Sequence, residues 1–484
     1  MLNQSFSQDN FKIIFEIENR KGLFNKDYFS EAFHNEVIKL KEKRSEIKEY
    51  KKSDFVDEDL LKLLMNEKSE VEKAKELHLE MDLQKYSVEV NQTNFNFKIN
   101  SYTSSENKPV RIYSIKNDAA SFFAMKQLQH NIYRSFNVKQ SNRYQIVKQL
   151  KLILNDSFPK YLVRTDIRNF YESVPQYLLL KTINENSLLS PKSKSLIGNL
   201  IYQYNFLTNQ HNKELSMRSG IPRGAGASAY LAELYMKSID NEIQSLDDVV
   251  YYSRFVDDIV IIFIPKRQKA DNKYKYLSQV KDIINSKGLD LKDGSLPDEE
   301  NKTHEYNLIS KNYSGELNYL GYRYLINNSK LEDIKLSKNK KDKYKDRIEK
   351  IIDRFFIDSN FDSKEAHKLL IHRLNFITKN TKLYRPKKGL IGIYYTNSLI
   401  DKNCECLKEL DQSLKDIIDI KIPKSKFPEL NTRLKRFSFK EGFERKSFFN
   451  INSKSKYIPD LRSDREKEIR PRVNNFEKII AAWK

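Results

Sequence analysis

Three observations predict an α+β protein. Val249 to Ile264, VVYYSRFVDDIVIIFI, contains two apolar, β-branched and aromatic runs joined by Asp257-Asp258, the pattern of a buried β-hairpin with two carboxylates in its turn. Long flanking stretches place apolar residues near helical spacing, as in Leu60, Leu61, Leu64, Met65 and Val71. Elsewhere, Val88, Val90, Phe95, Phe97 and Ile99 alternate with polar residues at the period of a strand.

At 484 residues the chain is long enough for two or three domains with a sizeable core. Lys and Arg outnumber Asp and Glu by 87 to 66, a net charge of +21 that suits a polyanion, nucleic acid first. Asn and Ile are abundant too, a habit of AT-rich genomes, so the charge supports this reading without deciding it. Cys404 and Cys406 form a C-x-C too sparse for a zinc site or a disulfide framework, which predicts buried or half-buried thiols in a cytoplasmic protein. The opening MLNQSFSQDNFKIIFEIENR lacks a basic segment followed by an apolar core, and no apolar run approaches membrane-spanning length. A soluble protein with no membrane partner is expected.

In chain order, Tyr28 to Lys52 and Asp57 to Leu83 read as amphipathic helices with solvated charged faces. From Tyr86 the period changes, and a small antiparallel sheet is expected through Val88 to Ile99 and Val110 to Ile115. Lys108, Arg111 and Lys116 project near its edge, where they are candidates to meet a triphosphate. Ala119 to Phe136 and Arg143 to Leu154 read as helices, and Tyr161 to Tyr171, YLVRTDIRNFY, as a strand ending on Asp166. Ser219 to Ser228, SGIPRGAGAS, is a glycine loop that runs into a helix burying Leu231, Leu234, Tyr235, Ile239 and Ile243. Downstream come a basic helix at KLSKNKKDKYKDRIEK, helices over Ile348 to Phe356, Ala366 to Lys379 and Leu407 to Ile420, and an apolar segment from Leu390 to Tyr395. Lys421 to Phe449 interleaves basic residues with Phe437, Phe439, Phe443, Phe448 and Phe449, a mix suited to RNA by charge and stacking.

The acids carry the chemistry. Asp247-Asp248, in the polar loop QSLDD, reads as a solvated turn, whereas Asp257-Asp258 is held between apolar strands. Carboxylates fixed at the rim of a buried sheet repel one another unless cations screen them. Two divalent metals bridged by carboxylates from separate elements are what an in-line displacement at phosphorus needs, and the end of the Asp166 strand supplies the second element.

An acid at a strand end, a G-I-P-x-G loop with a helix, and F-V-D-D in a hairpin, in this order, resemble the palm of a reverse transcriptase. Gly288-Leu289-Asp290-Leu291 with Asn301-Lys302-Thr303 resembles the next palm motif, and Asn318-Tyr319-Leu320-Gly321-Tyr322 the primer-grip hairpin. Asn142 to Val147, NRYQIV, is similar to a fingers helix. The resemblance implies a right-hand polymerase: a helical extension over 1–90, fingers and palm over 91–330, and a thumb-like, RNA-binding helical region over 331–484. It implies Asp166, Asp257 and Asp258 as catalytic acids that hold two Mg2+ ions, with Ile167 beside them in the metal and substrate sites and Mn2+ as a substitute. It further implies Lys302 as the proton donor to pyrophosphate, Tyr171 as the gate against a ribose 2′-hydroxyl, and Arg111, Lys116, Arg223 and Gly224 around the nucleotide.

Arg223 stands where the family places Gln, and Ala227-Ser228-Ala229 replaces its Ser-Pro pair. With Arg164 to Val174, RTDIRNFYESV, and Leu231 to Leu234, LAEL, these features are similar to the bacterial abortive-infection and defence-associated reverse transcriptases. That group implies an enzyme of antiphage defence acting on dNTPs with a noncoding RNA template and a DNA product, as a homo-oligomer and with a partner defence protein. A retron-like or intron-derived enzyme, a template-independent or protein-primed DNA synthase, and a non-catalytic RNA-binding effector are the alternatives. Clustered acids beside RNA phosphates argue against the last.

Overall fold

The computed structural model describes the chain except residues 1–2, 22–25, 54–55, 105–108, 267–274, 298, 311, 384–388, 402–403, 451–474 and 484. The elements begin with helices α1 (Gln8–Lys21), α2 (Glu31–Tyr50) and α3 (Glu58–Asn91), strands β1 (Ile99–Thr103) and β2 (Arg111–Ile115), and helices α4 (Ala119–Phe136) and α5 (Arg143–Asn155). Strand β3 (Lys160–Asp166) is followed by α6 (Phe170–Ser173), α7 (Gln176–Glu185), α8 (Pro191–Leu207) and α9 (Ser228–Gln244). Next come β4 (Val249–Phe255), β5 (Asp258–Phe263), α10 (Tyr276–Ser286), β6 (His304–Leu308), β7 (Gly315–Tyr319), β8 (Tyr322–Asn327) and β9 (Lys330–Leu336). The rest is α11 (Lys338–Ser359), α12 (Ser363–Thr378), β10 (Asn380–Leu383), β11 (Gly389–Gly392), α13 (Glu405–Lys421), α14 (Pro428–Leu434), α15 (Phe439–Glu444) and α16 (Asn475–Ile480). They form the α+β architecture expected, in two compact units: residues 1–142 with 161–306, and residues 143–160 with 307–484.

In the first unit, each early helix begins on a polar cap. Ser30 accepts from the Phe33 amide, Asp57 from Asp59 and Leu60, and Asp118 from Ser121, which satisfies N–H groups that have no partner inside the helix. Helix α3 corrects the expectation of a strand from Tyr86. It continues to Asn91, because Leu79, Leu83, Ser87 and Val90 lie on one buried helical face and the Ser87 hydroxyl donates to the Phe6 carbonyl at 2.8 Å. The antiparallel pair β1 and β2 does form, from Ile99↔Ile115 to Thr103↔Arg111.

The central sheet has the order β4-β5-β3-β6. Ile259 to Phe263 of β5 are fully buried, and each such side chain stabilises the fold by roughly 1.5–3 kcal/mol. The hairpin is less evenly buried than its sequence predicts. Strand β4 is the sheet edge and leaves Val250 55 % exposed, because its far side has no strand to cover it. Helix α9 packs beside this hairpin and buries Leu231, Leu234, Tyr235, Ile239 and Ile243, as the spacing predicts.

In the second unit, β7, β8 and β9 form a meander whose first turn is Leu320-Gly321. Helix α11 buries Tyr344, Ile348, Ile351, Ile352 and Phe355 and leaves most of its basic residues half-buried or exposed. The expectation of two free thiols is overturned: Cys404 and Cys406 are joined as a disulfide, with Cα atoms 5.3 Å apart. Cys404 caps α13 in a non-helical conformation, which turns its side chain onto that of Cys406 in the first turn. Phe439 and Phe443 are buried core residues, so of the five phenylalanines suited to RNA only Phe448 is exposed. No helix among the described residues is long and apolar enough to cross a membrane.

Candidate active site

The backbone brings the acids together. Strands β3 and β5 pair antiparallel with Asp166 opposite Asp258, and the Ile167 amide donates to the Asp257 carbonyl at 3.0 Å. Ile167 is itself buried and contributes backbone, not side-chain, groups. The turn between β4 and β5 is Val256-Asp257, and Val256 has a φ of 63°. Tight hairpin turns place glycine at such a position, and a β-branched residue there is strained. Asp247-Asp248 differs as expected: the Asp247 side chain is 98 % exposed, and Asp248 accepts from the Tyr276 hydroxyl.

Two basic side chains answer the acids. The Lys302 ammonium lies 3.0 Å from Asp166 Oδ2, and Arg164 Nε donates to Asp258 Oδ1 at 3.2 Å. Lys302 is placed by a chain of backbone bonds: its amide donates to the Lys292 carbonyl, and the Lys292 amide to the Asp166 carbonyl. Arg164 Nη1 and the Thr165 hydroxyl bond the Lys302 carbonyl and the Thr303 hydroxyl, which sews residues 302–303 along β3.

The charges are incompletely balanced. Burial and then the Asp166 charge raise the Asp257 carboxyl above its ordinary range. Asp258 is pushed up to about 6 by burial, Arg164 opposing and Asp166 adding to the rise. Ionising Asp258 against that shift costs on the order of 3 kcal/mol, less than the buried run of β5 contributes, so the fold tolerates it. Clustered carboxylate oxygens are the donors that Mg2+ takes. Among the described residues no three acidic, histidine or cysteine side chains already converge on one cation position, since Asp166 and Asp258 face Lys302 and Arg164. The donor chemistry fits a hard divalent ion.

The predicted substrate residues fall into two groups. Arg223 Nη2 donates to Glu172 Oε2 at 3.0 Å, and its guanidinium lies 5.3 Å from the centroid of the Tyr171 ring. Burial, followed by the charge of Glu233 and opposed by that of Arg223, raises the Tyr171 phenol. The Arg223 carbonyl accepts from the Tyr113 amide at 2.8 Å. Gly224 is required: its φ is 96°, and an added Cβ would lie 2.8 Å from the Tyr113 carbonyl oxygen. Arg111 stacks 5.5 Å from the Tyr113 ring centroid and donates to the Ser101 hydroxyl. Lys116 instead pairs with Asp118 at 3.6 Å and lines a cavity of about 220 Å³ with Glu89, Phe95 and Lys98. Lys108 lies outside the described residues.

Sequence reasoning passed over Arg164, Glu172 and Arg168, whose guanidinium holds both oxygens of Glu299 at 2.7 and 2.8 Å. It also passed over Arg254, held by Glu233 and Asp240. An arginine inside an otherwise apolar strand, as at 164 and 254, was the available signal, because such a charge folds only against a partner.

Residues 106–324, just under half of the chain, match the family Reverse transcriptase (RNA-dependent DNA polymerase). The chain therefore contains a segment that matches a reverse transcriptase domain, and the β4-β5-β3-β6 sheet with Asp166, Asp257 and Asp258 lies within it. Among solved structures, apo telomerase from Candida tropicalis truncated from its C-terminal domain is 16 % identical, with a TM-score of 0.31 over 50 % of this chain and 55 % of that one. Telomerase from Candida albicans in complex with a TWJ fragment of telomeric RNA is 12 % identical, with a TM-score of 0.33 over 73 % of this chain and 67 % of that one. The BmCPV RNA-dependent RNA polymerase at elongation state is 10 % identical, with a TM-score of 0.28 over 55 % and 25 %. The chain thus spans about half of the first of these proteins and a quarter of the polymerase. No curated protein matches the sequence.

Proposed function

We propose that this protein is an RNA-directed DNA polymerase of antiphage defence that adds dNTPs by two-metal phosphoryl transfer, with a dedicated noncoding RNA as template. The observation that carries the reading is the meeting of Asp166, Asp257 and Asp258 at the paired ends of β3 and β5 within the reverse transcriptase domain. Asp166 and Asp257 are the principal holders of two Mg2+ ions, with Asp258 and the backbone of Ile167 beside them and Mn2+ as a substitute. When bound, such ions activate a primer hydroxyl and neutralise charge on the leaving pyrophosphate.

The chain's own side chains do the rest. Lys302, on Asp166, holds a proton where pyrophosphate leaves. Tyr171, with the Arg223 guanidinium over its ring, is the gate against a ribose 2′-hydroxyl, which selects deoxynucleotides. Arg111 and Gly224, which both meet Tyr113, stand around the nucleotide. The net charge of +21 and the basic face of α11 support binding of an RNA template and a DNA product. The defence role, a homo-oligomer, a partner defence protein and a cytoplasmic setting rest on the similarity of residues 164–174 and 219–234 to the defence-associated group.

The test uses full-length protein purified with its cellular nucleic acid, incubated with Mg2+ and labelled dNTPs or NTPs, singly and together. Incorporation of dNTPs that RNase pretreatment abolishes and that an Asp257→Asn, Asp258→Asn protein lacks is the expected result. Incorporation that survives RNase moves the reading to template-free synthesis, and label that stays on the denatured polypeptide to protein priming. Wild type equal to the double variant in every mix rejects catalysis. Phage plating on cells carrying either protein tests the defence role, which fails if both protect equally.

A further inference from the structure

Arg254 is a cation buried inside β4, 6 % exposed, two residues from the turn that carries Asp257. All five of its N–H donors are used. Nε and Nη2 donate to the two oxygens of Asp240 at 2.8 Å each, and Nη1 and Nη2 to the two oxygens of Glu233 at 3.2 and 2.7 Å. The fifth, on Nη1, goes to the carbonyl of Val256 at 2.9 Å. Glu233 and Asp240 lie seven residues apart on one face of α9, and the Tyr252 hydroxyl donates to Asp240 at 2.5 Å. A buried ion cluster is a poor stability device, since apolar residues of similar volume do as well. Its geometry is what an apolar core lacks.

We propose that Arg254, with Glu233 and Asp240, is a positioning residue that holds the Val256-Asp257 turn in its left-handed conformation and so fixes the Asp257 carboxylate against Asp166. The proposal rests on the polymerase reading for its catalytic consequence. Val256 has a φ of 63°, a conformation that costs a β-branched residue on the order of 1–3 kcal/mol and persists only when its surroundings impose it. A guanidinium anchored by two carboxylates and aimed at the carbonyl of that residue is such an imposition. Lysine has the charge without the planar fork, and cannot serve two carboxylates and a carbonyl in this geometry. The same network bears on nucleotide selection. Helix α9 starts at the loop that carries Arg223, whose guanidinium lies over the Tyr171 ring, so the acids and the gate are referenced to one helix.

A cycle of full-length Arg254→Lys, Val256→Gly and the double variant tests this. Glycine takes positive φ without strain, so a turn with Gly at 256 no longer needs to be held. Melting curves establish folding, dNTP incorporation gives kcat and KM, and amide exchange of the 249–264 peptide reports the turn whether or not the protein polymerises. Arg254→Lys is expected to cut kcat by about 30-fold with KM for dNTP within about threefold, and to cost less than about fivefold when made in Val256→Gly. Exchange of the turn amides rises on Arg254→Lys in the wild-type background and changes little in the glycine background. An equal loss in both backgrounds, or turn exchange unmoved by Arg254→Lys, overturns the proposal. A wild type that incorporates nothing sinks the polymerase reading instead, while the exchange cycle still decides the positioning role. If Arg254→Lys does not fold, Asp240→Asn takes its place in the same cycle.

Discussion

Two hairpin turns in this protein solve the same backbone problem with opposite electrostatics. In the first unit, Val256 takes a φ of 63° and its carbonyl accepts from Arg254. In the second, Leu320 takes a φ of 46° before Gly321, and its carbonyl accepts from Nε and Nη2 of Arg143. Arg254 is two residues from the carbonyl it holds, and two carboxylates surround it. Arg143 reaches from the start of α5, and its charged neighbour is Lys340, whose ammonium stacks 4.8 Å from the Tyr322 ring centroid. Among the described residues no carboxylate pairs with either Arg143 or Lys340. The first turn is anionic overall, and the second is cationic. A guanidinium donates to a turn carbonyl in both, and the remaining charges differ in sign.

Breaking each turn in its own way should separate rate from binding. Asp257→Asn removes a charge from the anionic turn, and incorporation should fall on the order of 10³-fold while affinity for primer-template stays within about threefold, read by single-turnover kinetics and filter binding. Arg143→Leu should do the reverse. Affinity should fall about tenfold with a shallower salt dependence, and the rate at saturating primer-template should hold. A large loss of rate in Arg143→Leu would erase the contrast, because the second turn would then serve chemistry and not binding.

Most of this arrangement was legible in the sequence, for physical reasons. The hairpin around Asp257 and the strand ending at Asp166 are continuous apolar runs with a charge at one end, which marks strands buried on both faces whose ends reach the rim. The loop at Gly224, expected around the nucleotide, was legible as a close backbone approach, and what it meets is the Tyr113 carbonyl. Residues 86–91 were misread because Val88 and Val90 alternate like a strand, while the packing of Ser87 and Val90 on one face carried the helix through. The partners of Arg254 were hidden because Glu233 and Asp240 look like ordinary charges on an amphipathic helix until α9 is laid against β4. The bond between Cys404 and Cys406 was hidden likewise, since a helix cap rather than sequence distance turns the two side chains together.

The smallest expected effect is a pair of pH dependences that run in opposite senses. Asp258 is pushed up to about 6, so the folded, ion-free protein binds this proton more tightly than the unfolded chain does. Its contribution therefore favours the fold at acid pH and is lost as pH rises through 6, where the carboxylate ionises beside Asp166. In chelator, the melting temperature of wild type minus that of Asp258→Asn should rise by a few degrees between pH 7 and 5, and Mg2+ should flatten that slope by compensating the charge. Lys340 is lowered to about 8 by burial and then by Arg143, so the second turn sheds positive charge as pH climbs through 8. Primer-template affinity should weaken about two- to threefold from pH 7 to 9 in wild type and stay level in Lys340→Met, read by filter binding at fixed ionic strength. A slope that persists in Lys340→Met would assign the titration to another group and leave the cationic turn without its second charge.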